Sequence, residues 1–171
     1  GAGSGIGKRT AQVLLEAGHQ VSAWDRDLPA LGWTEQHPDT ALAVQVDVTD
    51  EQSCSAAASA TAERFGRVDL VVNCAGIFFA GGLSDASLAD VRRIIDINLL
   101  GTIIVSRALA PELRASRGAI VNIASVAAIK PSPTSCYYAG TKAAIVQLTR
   151  SWAAELAPTG VATHGPPQLP D

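Results

Sequence analysis

The sequence predicts an α/β fold, a doubly wound parallel sheet with helices on both faces. Three observations predict it. Short apolar runs alternate with helix-like stretches along nearly all of the 171 residues. The strand-like runs, such as VDLVVN at residues 68–73 and IVNIA at residues 120–124, are continuous rather than alternating, as in strands covered on both faces. A glycine-rich turn, GAGSGIG at residues 1–7, opens the first helix, which is where such sheets hold phosphates.

Each element has its own signal. Residues 8–17 form a helix that Gly18 stops, and a strand is expected ahead of Gly1. Residues 20–24 form a short strand, with Asp25 directly after it. Residues 29–38 begin and end in proline and make an irregular connection. ALAVQVDV at residues 41–48 is the next strand, closed by Asp47 and Val48. Thr49 and Gln52 have the spacing of a capping box and open a helix that runs to about Phe65, where Gly66 ends it. The strand at residues 68–73 leads into Cys74, Ala75 and Gly76, small residues past which a ligand can approach the backbone. After a glycine-containing loop, Ser87 caps a long helix that ends near residues 111–113 and carries Asn98 among apolar neighbours. A buried Asn in mid-helix is unfavourable unless its amide is used. Residues 118–125 form a further strand, and residues 139–156 the last helix. The order is that of a Rossmann-type, three-layer αβα domain, incomplete because its first strand is not in the sequence. Residues 1–160 make the domain. Residues 161–171, with Pro166, Pro167 and Pro170, read as an aberrant or disordered tail from a truncated or frameshifted reading.

Composition narrows the function classes. Hydrophobic residues are 47% and charged residues 17%, enough for a sizeable core in one domain. A net charge of −3 leaves no electrostatic footprint for nucleic acid. No apolar run reaches the roughly 18 residues of a membrane span. Cys54, Cys74 and Cys136 have neither disulfide nor metal spacing, and the three histidines are scattered, so no metal is assigned. Packing thiols of this kind suit a reducing cytoplasm.

The chemistry lies at strand ends. The glycine turn departs from the P-loop, because Arg9 stands at the magnesium-binding position, and from G-x-G-x-x-G, because Ile6 stands at the last glycine. The remaining pattern, Gly1-x-x-x-Gly5-x-Gly7 at a helix start, favours a phosphate. Asp25, about 20 residues on, suits ribose hydroxyls and repels a 2′-phosphate, which favours NAD over NADP; Arg26 beside it is a cation able to pair with such a phosphate. Asp47 and Val48 are placed to bracket an adenine. Tyr138 and Lys142 stand at i and i+4 on one helix face. An ammonium beside a phenol favours the phenolate and makes an acid/base pair. Ser125, 13 residues before Tyr138, brings a hydroxyl to the same cleft.

With these motifs in this order, the chain resembles the short-chain dehydrogenase/reductase family over residues 1–160. The resemblance rests on Gly1-x-x-x-Gly5-x-Gly7, on the stretch from Asn73 to Gly76, and on Asn98, Ser125 and Tyr138-x-x-x-Lys142. It implies that Gly1, Gly5, Ile6 and Gly7 hold a pyrophosphate, Asp25 a ribose, and Asp47 with Val48 the adenine. Asn73, Ala75 and Gly76 would line the cofactor cleft. Tyr138 would be the general acid/base, Ser125 would hold the substrate oxygen, and Lys142 would bind the nicotinamide ribose and lower the Tyr138 pKa. Asn98 would keep a water in the proton relay behind Lys142. The implied reaction is hydride transfer between NAD(H) and a small secondary alcohol or ketone, in a homodimer or homotetramer when full length. Apolar Ile77, Phe78, Phe79, Val126 and Ile129 near the site suit a hydrophobic substrate. The alternatives are a non-catalytic NAD-binding fragment and, third, a sugar-nucleotide epimerase or dehydratase. Cys74 departs from the family pattern, which commonly has a second Asn there.

Overall fold

The computed structural model describes residues 1–165. Among these residues five helices and five strands follow one another, with 3-10 segments and one π turn between some of them. The first helix, α1 (Gly5–Glu16), starts three residues earlier than its apolar pattern predicts, so Gly5, Ile6 and Gly7 form its first turn. Strand β1 (Val21–Asp25) pairs in parallel with β2 (Ala41–Gln45), Asp25 opposite Gln45. The proline-bounded connection between them is a 3-10 helix, Leu28–Gln36, which buries Leu31 and Thr34.

Helix α2 (Glu51–Phe65) is capped by Asp50 rather than Thr49. The Asp50 carboxylate accepts the amides of Gln52 and Ser53, whereas the Thr49 hydroxyl donates to Asp47. The Asp wins because its side chain reaches the orphan N–H groups of the first turn directly. Gly66 ends α2 in the left-handed conformation, φ 78°.

Strand β3 (Leu70–Asn73) pairs in parallel with β4 (Ala119–Asn122), which pairs in turn with β5 (Ala162–His164). β5 corrects part of the expected tail. Val161 is buried, and residues 162–164 join the sheet, because the prolines begin only at Pro166. Residues 166–171 lie outside the described residues. The strands make two parallel sheets, β2–β1 and β3–β4–β5, where the sequence predicts one. Gly1 and Ala2 touch both sheets. The Ala2 amide donates to Trp24 of β1, and a Cβ on Gly1 would stand 2.6 Å from the Ala75 amide nitrogen beyond β3.

Ser87 caps α3 (Leu88–Ile95) through the Asp90 amide, as expected. α3 continues through a π turn (Asp96–Leu100) into α4 (Gly101–Ser116). This 29-residue helix has a mean hydropathy of 1.5 over its most apolar window, long and apolar enough to cross a membrane by length and composition. Asp96 and Arg107 interrupt it, so the helix is apolar on average rather than an uninterrupted apolar run. Its Val105, Leu109 and Leu113 belong to the core, and periodic burial on one side is the signature of a helix packed on a sheet.

The core unites α2 (Cys54, Ala57, Ala58), α4, the strands (Val71, Ile120) and the end of α5 (Cys136–Leu156) through Leu156. Trp24 packs on the same cluster, so its neighbour Ala23, fully buried, points to the opposite face of β1, where α1 packs. Helices thus cover both faces, and every parallel strand ends toward one edge.

The capping assignment is testable. Asp50→Ala should lower stability by about 1 kcal/mol, and Thr49→Val by less than about 0.5 kcal/mol. Urea denaturation of both variants measures this, and equal losses would return the cap to Thr49.

Candidate functional site

A cleft of about 350 Å³ opens at the carboxyl edge, between the two sheets. The glycine turn forms one side, through Gly1, Gly5, Ile6 and Gly7. The turn is compact because Gly7 has no side chain: a Cβ there would stand 2.0 Å from the Gly1 carbonyl oxygen. The first-turn amides of α1 have no helical acceptor and mark a site for an anion. Ser4, at the N-cap, makes no side-chain cap that would occupy them.

Asp25 and Arg26 stand at the end of β1, and Val46, Asp47 and Val48 at the end of β2. The Asp25 carboxylate accepts the Gly3 amide at 2.9 Å and the Asp27 amide at 3.0 Å. Burial pushes its pKa up, but these amides outweigh burial and hold it below the usual value. The Asp47 carboxyl also lies low, because the Thr49 hydroxyl and amide bind it. Cys74, Ala75, Gly76 and Ile77 line the cleft beyond β3, and Ile123 beyond β4.

Asn73 corrects an expectation, since it does not line this cleft. It is 9% exposed, and its amide donates inward to Ser106 and Asn122, at 3.0 and 2.9 Å. Strand alternation turns the side chain into the helix layer, so it braces β3 against β4.

Lys142 is 7% exposed. Its ammonium donates to the Ile123 carbonyl at 2.7 Å and lies 5.9 Å from the centre of the Tyr138 ring. A Cβ on Gly76 would come within 3.7 Å of that ammonium, so the lysine reaches the wall of the cleft. Burial pushes its pKa down. Tyr138 is half-buried, and Phe78 meets its ring edge-on at 5.2 Å. The competing Tyr137 commits its hydroxyl to the Leu83 carbonyl at 3.1 Å. Ser125 begins the 3-10 turn Val126–Ala128, which packs on α5, and accepts the Ala127 amide.

Asn98 lies in the π turn, 1% exposed. Its side chain accepts the Ile77 amide at 2.7 Å and donates to the Ile77 carbonyl at 2.9 Å, with Thr141 at 3.4 Å. It clamps the cleft wall behind Gly76. Three contributors escaped the sequence reading: Ile123 as the acceptor for Lys142, Ile97 as a lining residue, and Thr141. Backbone acceptors have no sequence signal; Ile97 and Thr141 had one, as neighbours of Asn98 and Lys142 in the chain. Among the described residues no group of three metal-ligating side chains converges.

The groups present fit a dinucleotide: amides for phosphates, a carboxylate for a ribose, and a lysine and tyrosine where a reacting group would sit. Comparison with known proteins agrees. The profile of the short chain dehydrogenase family matches residues 1–165. The chain is 36% identical over 171 residues to trans-4-hydroxycyclohexanecarboxylate dehydrogenase of Sinomonas cyclohexanicum, an alignment covering 94% of this chain and 66% of that enzyme. A short-chain dehydrogenase from Streptomyces avermitilis superposes with a TM-score of 0.92 at 33% identity, over 96% of this chain and 61% of that one. The 3-ketoacyl-(acyl-carrier-protein) reductase of Brucella melitensis, complexed with NADH, gives 0.90 at 33% identity, over 94% and 69%. The chain spans about two thirds of the length of these relatives.

Lys142 carries a pH signature. Its folded pKa lies below its ordinary value near 10.5, so the unfolded chain binds more protons between the two. Stability from this group therefore rises with pH across that window. Relative to Lys142→Met, the unliganded wild type should gain stability as pH rises from neutral toward about 10. Urea titrations of both proteins across that range measure it, and a constant difference would mean that the lysine is not desolvated.

Proposed function

We propose, from the premise that this chain belongs to the short-chain dehydrogenase family, that it is the cofactor-binding part of an NAD(H)-dependent oxidoreductase. The reaction interconverts a secondary alcohol and a ketone, with Tyr138 as general acid/base. The observation that carries this reading is the buried Lys142 beside Tyr138 at the edge of a cleft that also gathers the glycine turn and Asp25.

The nicotinamide supplies the chemistry the chain lacks, accepting a hydride from the carbinol carbon or returning it to the ketone. The protein's part is orientation and the proton. The amides of Gly5, Ile6 and Gly7 hold the pyrophosphate against the start of α1, with Gly1 leaving room for it. Asp25 accepts ribose hydroxyls, and its negative charge disfavours a 2′-phosphate, so the cofactor is NAD(H). Asp47 and Val48 flank the adenine, and Ala75 and Gly76 admit the cofactor past the backbone. Ser125 donates to the substrate oxygen. In oxidation, the O–H bond breaks as the Tyr138 phenolate takes the proton and the C–H pair leaves as hydride; reduction is the reverse. Lys142 would bind the nicotinamide ribose, and its charge would stabilise the phenolate. Asn98 holds the Ile77 backbone and the relay behind Lys142. The three free cysteines suit a cytoplasmic protein, and the long helices suit a homodimer or homotetramer.

Two variants test the assignment. Tyr138→Phe should lower turnover by a factor of about 10²–10⁴ while NADH affinity, read by nucleotide fluorescence, stays nearly unchanged. Retained turnover would remove Tyr138 from proton transfer. Asp25→Ala should narrow the preference for NADH over NADPH in the same titration, and an unchanged ratio would remove Asp25 from the ribose role. NADH binding with no turnover of any secondary alcohol would instead identify a non-catalytic NAD-binding protein.

A further inference from the structure

Two adjacent tyrosines, Tyr137 and Tyr138, stand in the first turn of α5. Successive helix residues project about 100° apart, so the two rings meet different neighbours. The loop after β3 supplies one ring to each. Phe78 meets Tyr138 edge-on at 5.2 Å, and Phe79 stacks on Tyr137 at 6.5 Å. The backbone on either side of this pair is fastened. Asn98 holds Ile77, and the Gly81 amide donates to the Thr134 carbonyl at 2.8 Å.

Phe78 is 64% exposed, so burial does little to fix its ring. Tyr138 depends on that ring all the more, because its hydroxyl makes no hydrogen bond among the described residues. Tyr137 is the opposite case. Its hydroxyl donates to the Leu83 carbonyl at 3.1 Å, and its ring carries Phe79. It therefore grips the loop at two points, one of them the residue next to Phe78.

We propose that Tyr137 is a positioning residue: through Phe79 and Leu83 it holds the loop so that the Phe78 ring keeps Tyr138 in one orientation toward the cleft. The inference rests on the reading of Tyr138 as the general acid/base. A group that moves a proton must stay within hydrogen-bond reach of the reacting oxygen, and small misplacements there are costly. An edge-on aromatic pair has the directionality to set such an orientation. Because Asn98 and Thr134 still fasten the loop, loss of Tyr137 leaves the fold in place and frees only the aromatic pair.

The protein has two tyrosines, so 3-fluorotyrosine labels each position once, and Tyr138→Phe assigns the fluorine NMR signals. Four variants are compared, each with its melting temperature. Tyr137→Phe keeps the ring and loses the hydroxyl bond. Tyr137→Ala loses both. Phe78→Ala removes the ring that meets Tyr138, and the last variant combines Tyr137→Ala with Phe78→Ala. The Tyr138 signal should move partway in Tyr137→Phe, and most of the way in Tyr137→Ala, toward its position in Phe78→Ala. The combined variant should match Phe78→Ala, since the two residues act in series. Turnover of a secondary alcohol should fall about two- to fivefold in Tyr137→Phe, with NADH affinity kept within about twofold. A Tyr138 signal unmoved in both Tyr137 variants would overturn the proposal, because a residue that only stabilises the fold lowers melting alone. Additive shifts in the combined variant would overturn it too, because Tyr137 would then not act through Phe78. A wild type without NADH binding or turnover would instead overturn the oxidoreductase reading, and the fluorine spectra would still decide whether Tyr137 orients Tyr138.

Discussion

The side-chain amide of Asn98 holds both backbone groups of Ile77, and the shape of the site depends on that clamp. The segment after β3 has no strand partner where it passes the cleft, so its backbone groups need another. Asn98 provides an acceptor and a donor at once, from a helix position that is otherwise apolar. Left unpaired, each such buried group would cost about 1–3 kcal/mol. The π turn lies at this residue, as such turns often do at functional sites. Thr141, between Tyr138 and Lys142, touches the same amide. One buried side chain thereby links the long helix, the cleft wall and the helix that carries the proposed acid/base pair.

Beneath it runs a second polar chain. Asn73 reaches Ser106 and Asn122, Asn122 reaches Thr149, and the Thr149 carbonyl accepts the Thr163 hydroxyl. The parallel register sets Asn73 directly opposite Asn122. These bonds tie α4, β3, β4, α5 and β5 together at the edge where the strands end. The next residue after Asn122 is Ile123, whose carbonyl holds Lys142. In this buried network Asn122 accepts from Asn73 and donates to Thr149, so its amide is used as both acceptor and donor.

The wall beside Tyr138 has a third origin. Gly81 bridges to Ser135, and its amide donates to Thr134. Phe79 stacks on Tyr137 at 6.5 Å, and Phe78 meets Tyr138. The loop after β3 is therefore stitched to the segment that begins α5. Phe78, Val126 and Ile129 remain exposed, at 64, 63 and 50%, and present an apolar surface near the acid/base pair.

Much of this was legible in the sequence, because chemistry-bearing residues stood at strand ends and at helix starts. Gly5, Gly7, Asp25, Asp47 and Gly76 could be placed from spacing alone, since parallel sheets gather such positions at one edge. Spacing along a strand does not say which face a side chain takes, so the inward turn of Asn73 has no signal in the sequence. Thr49 and Asp50 both fit a cap by residue type, and only the backbone shows that Asp50 reaches the amides. Residues 161–164 stand next to the prolines that follow in sequence, and only the unpaired edge of β4 shows that a short strand forms there.

The sequence by itself determined the alternation of elements, the family, the glycine turn, and the pairing of Tyr138 with Lys142 on one helix face. These are local patterns, fixed by periodicity and by the conformations that particular residues allow. Tertiary structure alone decided that Lys142 is buried against the Ile123 carbonyl and that Asn98 grips Ile77. Those contacts join residues far apart in the chain. They depend on backbone carbonyls and amides that every residue carries, so no residue type announces them before the strands and helices are packed.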